Sequence, residues 1–317
     1  MFNPEREDIQ IICKHSNWSK DEVSKTLNEK VYNNAPAWRK FLHILLITLG
    51  IAFTVAGIIF FFAYNWQNLH KYAKFGIVEA VIIAITLAVL LSKFPLMVKN
   101  VLLTGAAITV GAMFAVFGQV YHTGANAYDF FLAWTVFITL WAVVSNFPPL
   151  WLLYLVLLNT TIFLYGEQVA PWSDDVTLLL AFIVNLVCLL LFMVIPTNSS
   201  IIVPKWFRNI LVLWTAGVAT TAMCNTIFDY QAGEGTVFLV PLTVAVYVAG
   251  IIYGLKNKSG FYLGTIAFSV IIIITALLLK YSIGAGMLLF IFFFIVGSVT
   301  LVIRQLIQLQ KTIRHEN

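Results

Sequence analysis

Residues 129–165 read DFFLAWTVFITLWAVVSNFPPLWLLYLVLLNTTIFLY. After Asp129 no charged residue occurs to the end of this stretch, yet one helix needs only about 20 apolar residues to cross a bilayer. The run is therefore either one over-long helix or two joined at Ser145-Asn146-Phe147-Pro148-Pro149. The proline pair decides between them. Neither proline offers an N–H to a continuing helix, and each ring clashes with the carbonyl four residues back, whereas proline suits the first turn of a new helix. Two spans result, and every later loop takes its side of the membrane from this turn.

The rest of the chain has the same character. Of 317 residues 61% are hydrophobic and 10% charged, with a mean hydropathy of +0.91. A soluble globule needs about a quarter charged residues, so the solvent is lipid. The apolar runs have helix length and lack the alternation of a β-barrel. Ten spans are expected, at about 41–64, 75–92, 101–121, 129–146, 147–165, 176–195, 208–228, 237–254, 261–280 and 283–303. The fold class is an all-α polytopic bundle, preceded by residues 1–40 as a cytoplasmic helical hairpin and followed by a short basic tail, 306–317.

Charge sets the orientation. With the N-terminus inside, sixteen of the nineteen Lys and Arg fall on the inner side, and only Lys71, Lys74 and Lys280 fall outside, as the positive-inside rule requires. Asp129, Glu167, Asp174, Asp175, Asp229 and Glu234 gather outside. Both termini are expected in the cytoplasm. The polar first 40 residues show no cleavable leader pattern. They begin one helix at Asn3-Pro4 and a second at the capping box Ser19-Lys20-Asp21-Glu22, in which Val23, Leu27 and Val31 recur at helical spacing.

Inside the bundle, Gly50 and Gly57, and Gly111 and Gly118, share helix faces where backbones can approach. Pro95-x-x-x-Lys99-Asn100 before the third span resembles Pro204-x-x-x-Arg208-Asn209 before the seventh, a hint of internal duplication that a generic helix start explains equally well. Cys13, Cys188 and Cys224 are spaced neither for a disulfide framework nor for zinc.

Polar residues collect at the outer ends of the first four spans. Asn65 and Trp66 end the first, and Glu79 lies one turn inside the second. Gln119, Tyr121 and His122 close the third; Asp129 and Trp134 open the fourth. Glu79 is the one carboxylate within an apolar run, and such groups are functional candidates by default. His122 and Asp129 have the chemistry of a proton-holding pair near neutral pH, although Asp129 also stands where a carboxylate caps a helix. Asn159, Thr160, Thr161, Asn185, Thr215, Thr220, Thr221 and Asn225 are scattered through later spans and suit interhelical hydrogen bonding. No catalytic motif, metal-ligand set or cofactor-binding loop is present, so no enzyme, metal or cofactor is expected. The N-terminal charges nearly cancel, which excludes nucleic acid as a partner. The bilayer is one partner; another membrane protein or a second copy is the remaining class.

The segment Trp18-Ser19-x-x-Glu22, the first span ending Ala63-Tyr64-Asn65-Trp66, and the block from Gly118 through Tyr121-His122, Asp129 and Trp134 together resemble the bacterial membrane proteins grouped as domain of unknown function 2157, over about residues 10–150. The resemblance implies a bacterial inner-membrane location and no established activity. Relatives carry glutamine where this chain has His122, so an essential imidazole is not among its implications. The functional expectation is an inner-membrane protein that transports a small solute or lipid through an outward polar site among spans 1–4. The alternative is a non-transporting scaffold or sensor that binds a partner protein.

Overall fold

The computed structural model describes residues 9, 13, 18–28, 35–65, 70–121, 124, 126–195, 203–229, 233–281 and 284–316. The expected helix start at Asn3-Pro4, and Val31, Trp66 and His122, lie outside the described residues. Eleven helices are described: α1 (Lys20–Thr26), α2 (Ala35–Asn65), α3 (Lys71–Leu91), α4 (Leu96–Tyr121), α5 (Ala127–Ser145), α6 (Pro148–Gln168), α7 (Asp174–Val194), α8 (Lys205–Phe228), α9 (Glu234–Lys256), α10 (Gly260–Lys280) and α11 (Ala285–Glu316). The last ten are long and apolar enough to cross a membrane. No strand occurs among the described residues.

Each expected span corresponds to one helix, but the helices outrun the apolar runs. α2 starts at Ala35 and includes Arg39 and Lys40, and α11 continues to Glu316. Hydropathy marks where lipid ends, whereas a helix ends where its backbone finds a cap. At 1.5 Å per residue, α11 is about 48 Å long, well beyond the ~30 Å hydrocarbon core.

The turn at 145–149 is built as its residues dictate. Asn146 takes the left-handed conformation (φ 46°, ψ 44°), and Pro148 and Pro149 open α6. Asparagine tolerates this conformation better than most side chains. Trp151 reaches back to donate its Nε1–H to the Ala142 carbonyl at 2.7 Å, and Ser145 Oγ donates to the same oxygen at 3.3 Å. A C-terminal orphan acceptor of α5 is thereby satisfied without water.

The chain forms two compact units, Met1–Val116 with Asn317, and Phe117–Glu316. In the first, α1 carries the full capping box. Ser19 N–H donates to Glu22 Oε2 at 2.8 Å, and Glu22 N–H donates to Ser19 Oγ at 3.3 Å. The Ser19 N–H, with the Ser19 hydroxyl donating to the same oxygen at 3.0 Å, holds the Glu22 carboxyl below its ordinary value. Val78 of α3 is fully buried. The close approach expected at Gly50 and Gly57 occurs elsewhere. Among the described residues, no atom stands within 4 Å of a Cβ added at either, whereas one added at Gly105 of α4 would meet the Ile51 side chain at 2.6 Å. Ile51 lies one residue, about 100°, round the helix from Gly50.

In the second unit, α5 packs on α6, α6 on α7, α7 on α8, α8 on α10 and α10 on α11, while α9 touches α7, α8 and α10. One core joins Leu179, Phe182, Ala219, Ala222, Leu239, Tyr247 and Ile266. Another joins Leu155, Leu189, Phe207, Leu211 and Val212, backed by mutually packed Trp151, Phe192 and Phe207 rings at 4.8–5.5 Å.

Polar pairs fix the register of these helices. Asn159 and Asn185, both buried, exchange amide hydrogen bonds of 3.1 and 2.6 Å between α6 and α7, and each also donates to the carbonyl four residues earlier. Thr215 of α8 donates to the Asn185 carbonyl at 3.4 Å. Thr135 meets Thr161, and Thr220 meets Tyr247. Replacing Asn159 with Leu strands the Asn185 amide in hydrocarbon. Asn159→Leu and Asn185→Leu are expected each to lower the thermal unfolding midpoint in detergent, with a coupling of about 1 kcal/mol. The double variant then loses less than the two single losses together, and strict additivity contradicts the pair.

Candidate functional site

The residues singled out in sequence divide between the two units. Asn65 ends α2 and Glu79 lies on α3, in the first; Gln119, Tyr121, Asp129 and Trp134 belong to the second. Only the backbone of Asn65 is described. Glu79 is exposed and makes no hydrogen bond or ion pair among the described residues. Gln119 and Tyr121 are exposed on the last turn of α4, with the Tyr121 ring against Phe117 at 4.9 Å.

Asp129 is third in α5. Its Oδ2 accepts the Asn126 N–H at 3.1 Å, closing the helix start. The capping role that its position suggested is thus realised. The Phe131 and Trp134 rings stack beside it at 6.1 Å. At the second position of α5, Tyr128 begins an aromatic group: its ring meets Tyr165 at 5.3 Å, and Tyr165 meets Trp172 at 5.1 Å. The three rings line a pocket of about 380 Å³ floored by Leu132, Thr161, Ile162 and Leu180. Tyr128 N–H donates to Gln168 Oε1 at 3.1 Å, tying the start of α5 to the end of α6.

Two further bonds show that alternate helix ends share one end of this unit. Thr236 N–H of α9 donates to Asp175 Oδ2 of α7 at 3.0 Å, and Lys280 Nζ at the end of α10 donates to the Asp229 carbonyl after α8 at 3.4 Å. That end carries Asp129, Glu167, Asp174, Asp175 and Asp229 against Lys280. The opposite end carries Lys205, Arg208, Lys256 and Lys258.

Asp175 is the polar residue that sequence reading passed over. It is 3% exposed. Gly233 precedes α9 and has no side chain with which to cap it, so the Asp175 carboxylate from α7 takes that part, lying at two helix N-termini at once. Both helix dipoles favour a negative charge there. A Cβ at Gly235 would stand 2.9 Å from the Asp175 and Val176 backbone, so only glycine permits the approach. The signal available in sequence was Ser173-Asp174-Asp175 opening one span and Gly233-x-Gly235 opening another, but nothing in sequence brings them together.

Between α8 and α10 runs a groove of about 710 Å³, closed at one side by Leu306 of α11. Its walls are small: Ala216, Gly217 and Thr220 on α8, Gly260, Gly264 and Ser269 on α10. No lining residue is charged. Among the described residues, no group of three or more His, Cys, Asp or Glu is placed to hold a metal ion.

These features define a helical integral membrane protein whose second unit is held by polar pairs and opened by apolar recesses. Residues 19–151, from the capping serine of α1 to Trp151 after the Pro-Pro turn, match the family described as predicted membrane protein (DUF2157). The match covers residues 19–150 of the 10–150 segment on which the resemblance rested, and leaves out Trp18. No curated protein and no solved structure matches the chain.

Removing the Asp175 carboxylate leaves the α9 N-terminus uncapped. Asp175→Ala is expected to destabilise the protein by about 2 kcal/mol. Thermal unfolding in detergent should register a clear loss, with almost none for the exposed neighbour in Asp174→Ala. Equal losses would show that Asp175 acts only as a first-turn charge.

Proposed function

We propose that this chain is an inner-membrane protein that binds and moves a lipid-soluble molecule, entering sideways from the bilayer. Of the two substrate classes open from sequence, small solute or lipid, lipid is the better supported. The observation that carries this reading is the uncharged groove between α8 and α10. A path for a hydrated solute needs polar groups facing a common cavity. In the second unit, Asn159, Asn185, Thr135, Thr161 and Tyr247 bond to each other or to backbone instead. Asp129 is engaged at its helix start, and Glu79 is exposed. A proton-coupled cycle through these two carboxylates has correspondingly little support.

The orientation follows from charge. The basic end of the second unit, with Lys205, Arg208, Lys256 and Lys258, belongs in the cytoplasm, and the acidic end outside. Both termini are then cytoplasmic. On a cysteine-free background, Lys258→Cys should react with an impermeant maleimide only from the cytoplasmic side of inner-membrane vesicles, and Glu167→Cys only from the other. The reverse pattern refutes the orientation.

Proteoliposomes test the function. Purified protein should accelerate transfer of a fluorescent neutral lipid between leaflets relative to protein-free vesicles. Glu79→Gln and Asp129→Asn should leave that rate within about twofold, the range of substitutions away from a working site. Failure to accelerate lipid transfer, or a proton-driven solute flux abolished by either variant, overturns the proposal.

A further inference from the structure

Ser269 is the residue that says what occupies the α8–α10 groove. It is 7% exposed, lines the groove, and makes no hydrogen bond among the described residues. Its neighbours behave otherwise: Thr265, Thr275 and Ser298 each donate to the carbonyl four residues earlier, the usual resort of a hydroxyl in a membrane helix. The Ser269 hydroxyl opens on the groove, and in hydrocarbon a hydroxyl without a protein partner is costly unless something else supplies one. Thr221 places a second hydroxyl on the opposite wall.

The depth of Ser269 narrows the choice. It lies nine residues into α10, about 14 Å along the helix and close to the middle of a ~30 Å hydrocarbon core. A phospholipid keeps its phosphate and esters near the surface, so its acyl chain leaves Ser269 unpaired. An ionic ligand meets no counter-charge, since no lining residue is charged. The fitting molecule is neutral, dissolves in the bilayer interior and carries a hydrogen-bonding group there. The walls suit a flat ring. Among the described residues, no atom stands within 4 Å of where a Gly217 Cβ would be, which leaves a bare stretch of α8. Phe261 and Phe268, each 39% exposed, offer aromatic surface on α10. A volume of about 710 Å³ accommodates a substituted ring and the first part of an apolar tail.

We infer that the groove between α8 and α10 binds a prenylated quinone or its quinol, with a ring oxygen bonded to the Ser269 hydroxyl and the ring lying between Gly217 and the phenylalanines. This deepens the proposed lipid reading by naming the substrate class, and it rests on that reading. Binding alone is inferred, with no redox step.

The test uses the full chain in phosphatidylcholine nanodiscs, titrated with decylubiquinone and followed by quenching of tryptophan fluorescence, Trp214 being next to the groove wall at Leu213. The expected result is saturable binding that Gly217→Leu abolishes by filling the groove. Ser269→Ala should weaken it about tenfold, the loss of one hydrogen bond. Ser269→Thr, which keeps a hydroxyl, should weaken it less. Unliganded unfolding midpoints of all three variants, measured alongside, identify any that fails to fold, and the other two then carry the comparison. Unsaturable partitioning common to all variants overturns the inference, as does saturable binding indifferent to Gly217→Leu and Ser269→Ala. A spin-labelled phospholipid run on the same samples separates the two levels. If it binds saturably and Gly217→Leu blocks it while quinone does not bind, the quinone assignment fails and the lipid reading stands. If neither binds, both fail. If Gly217→Leu instead turns a dimer into a monomer without affecting quinone, the groove is a self-association face and the inference falls.

Discussion

Hydrocarbon offers no hydrogen bonds, so each polar group in a spanning helix must find its partner in the protein. The second unit shows what that constraint does. Asn159 and Asn185 satisfy each other and the backbone of their own helices, which consumes both amide donors of each and pins α6 to α7 at one register. Thr215 adds α8 through the Asn185 carbonyl, and Tyr247 adds α9 through Thr220. Dispersion alone would let apolar helices slide, because lipid tails compete for the same contacts. A few directional bonds remove that freedom.

The same constraint explains why a carboxylate is tolerated between α7 and α9. Asp175 is buried, with no lysine or arginine in ion-pair reach among the described residues, an arrangement that costs several kcal/mol for an isolated ion. Two helix N-termini supply the compensation as partial charges and as the Thr236 N–H. Glycine at 233 and 235 makes this possible by letting the α9 backbone come within reach. Thr226 and Thr243 are exceptions, with buried hydroxyls that find no partner among the described residues.

The architecture was legible in the sequence because its signals are local. Apolar length marked ten helices, and Ser145 to Pro149 marked the break that keeps basic and acidic residues at opposite ends. The match of residues 19–151 to a family of predicted membrane proteins accords with the likeness carried by the 118–134 block. Helix ends were less legible, because α2 and α11 continue past the lipid boundary where hydropathy has nothing to report. The site was least legible. Asp129 was read both as capping residue and as proton carrier, and its bond to Asn126 supplies a structural reason for it. Asp175, Gly233 and Gly235 are far apart in sequence, so their meeting is a property of packing, and Ser269 looked like any other serine in an apolar run.

What separates Ser269 from its neighbours is therefore a fact of three dimensions. Thr265, one turn earlier on the same helix and also lining the groove, bonds its own backbone. Ser269 faces a recess between α8 and α10, where its hydroxyl opens on the groove and makes no hydrogen bond among the described residues. The Asn159–Asn185 pair shows the opposite arrangement, with polarity enclosed and complete. A protein that needed only to hold its helices together would repeat the closed arrangement throughout. The presence of both, on helices that share α8, separates the part of the bundle that is fastened from the part that is left open.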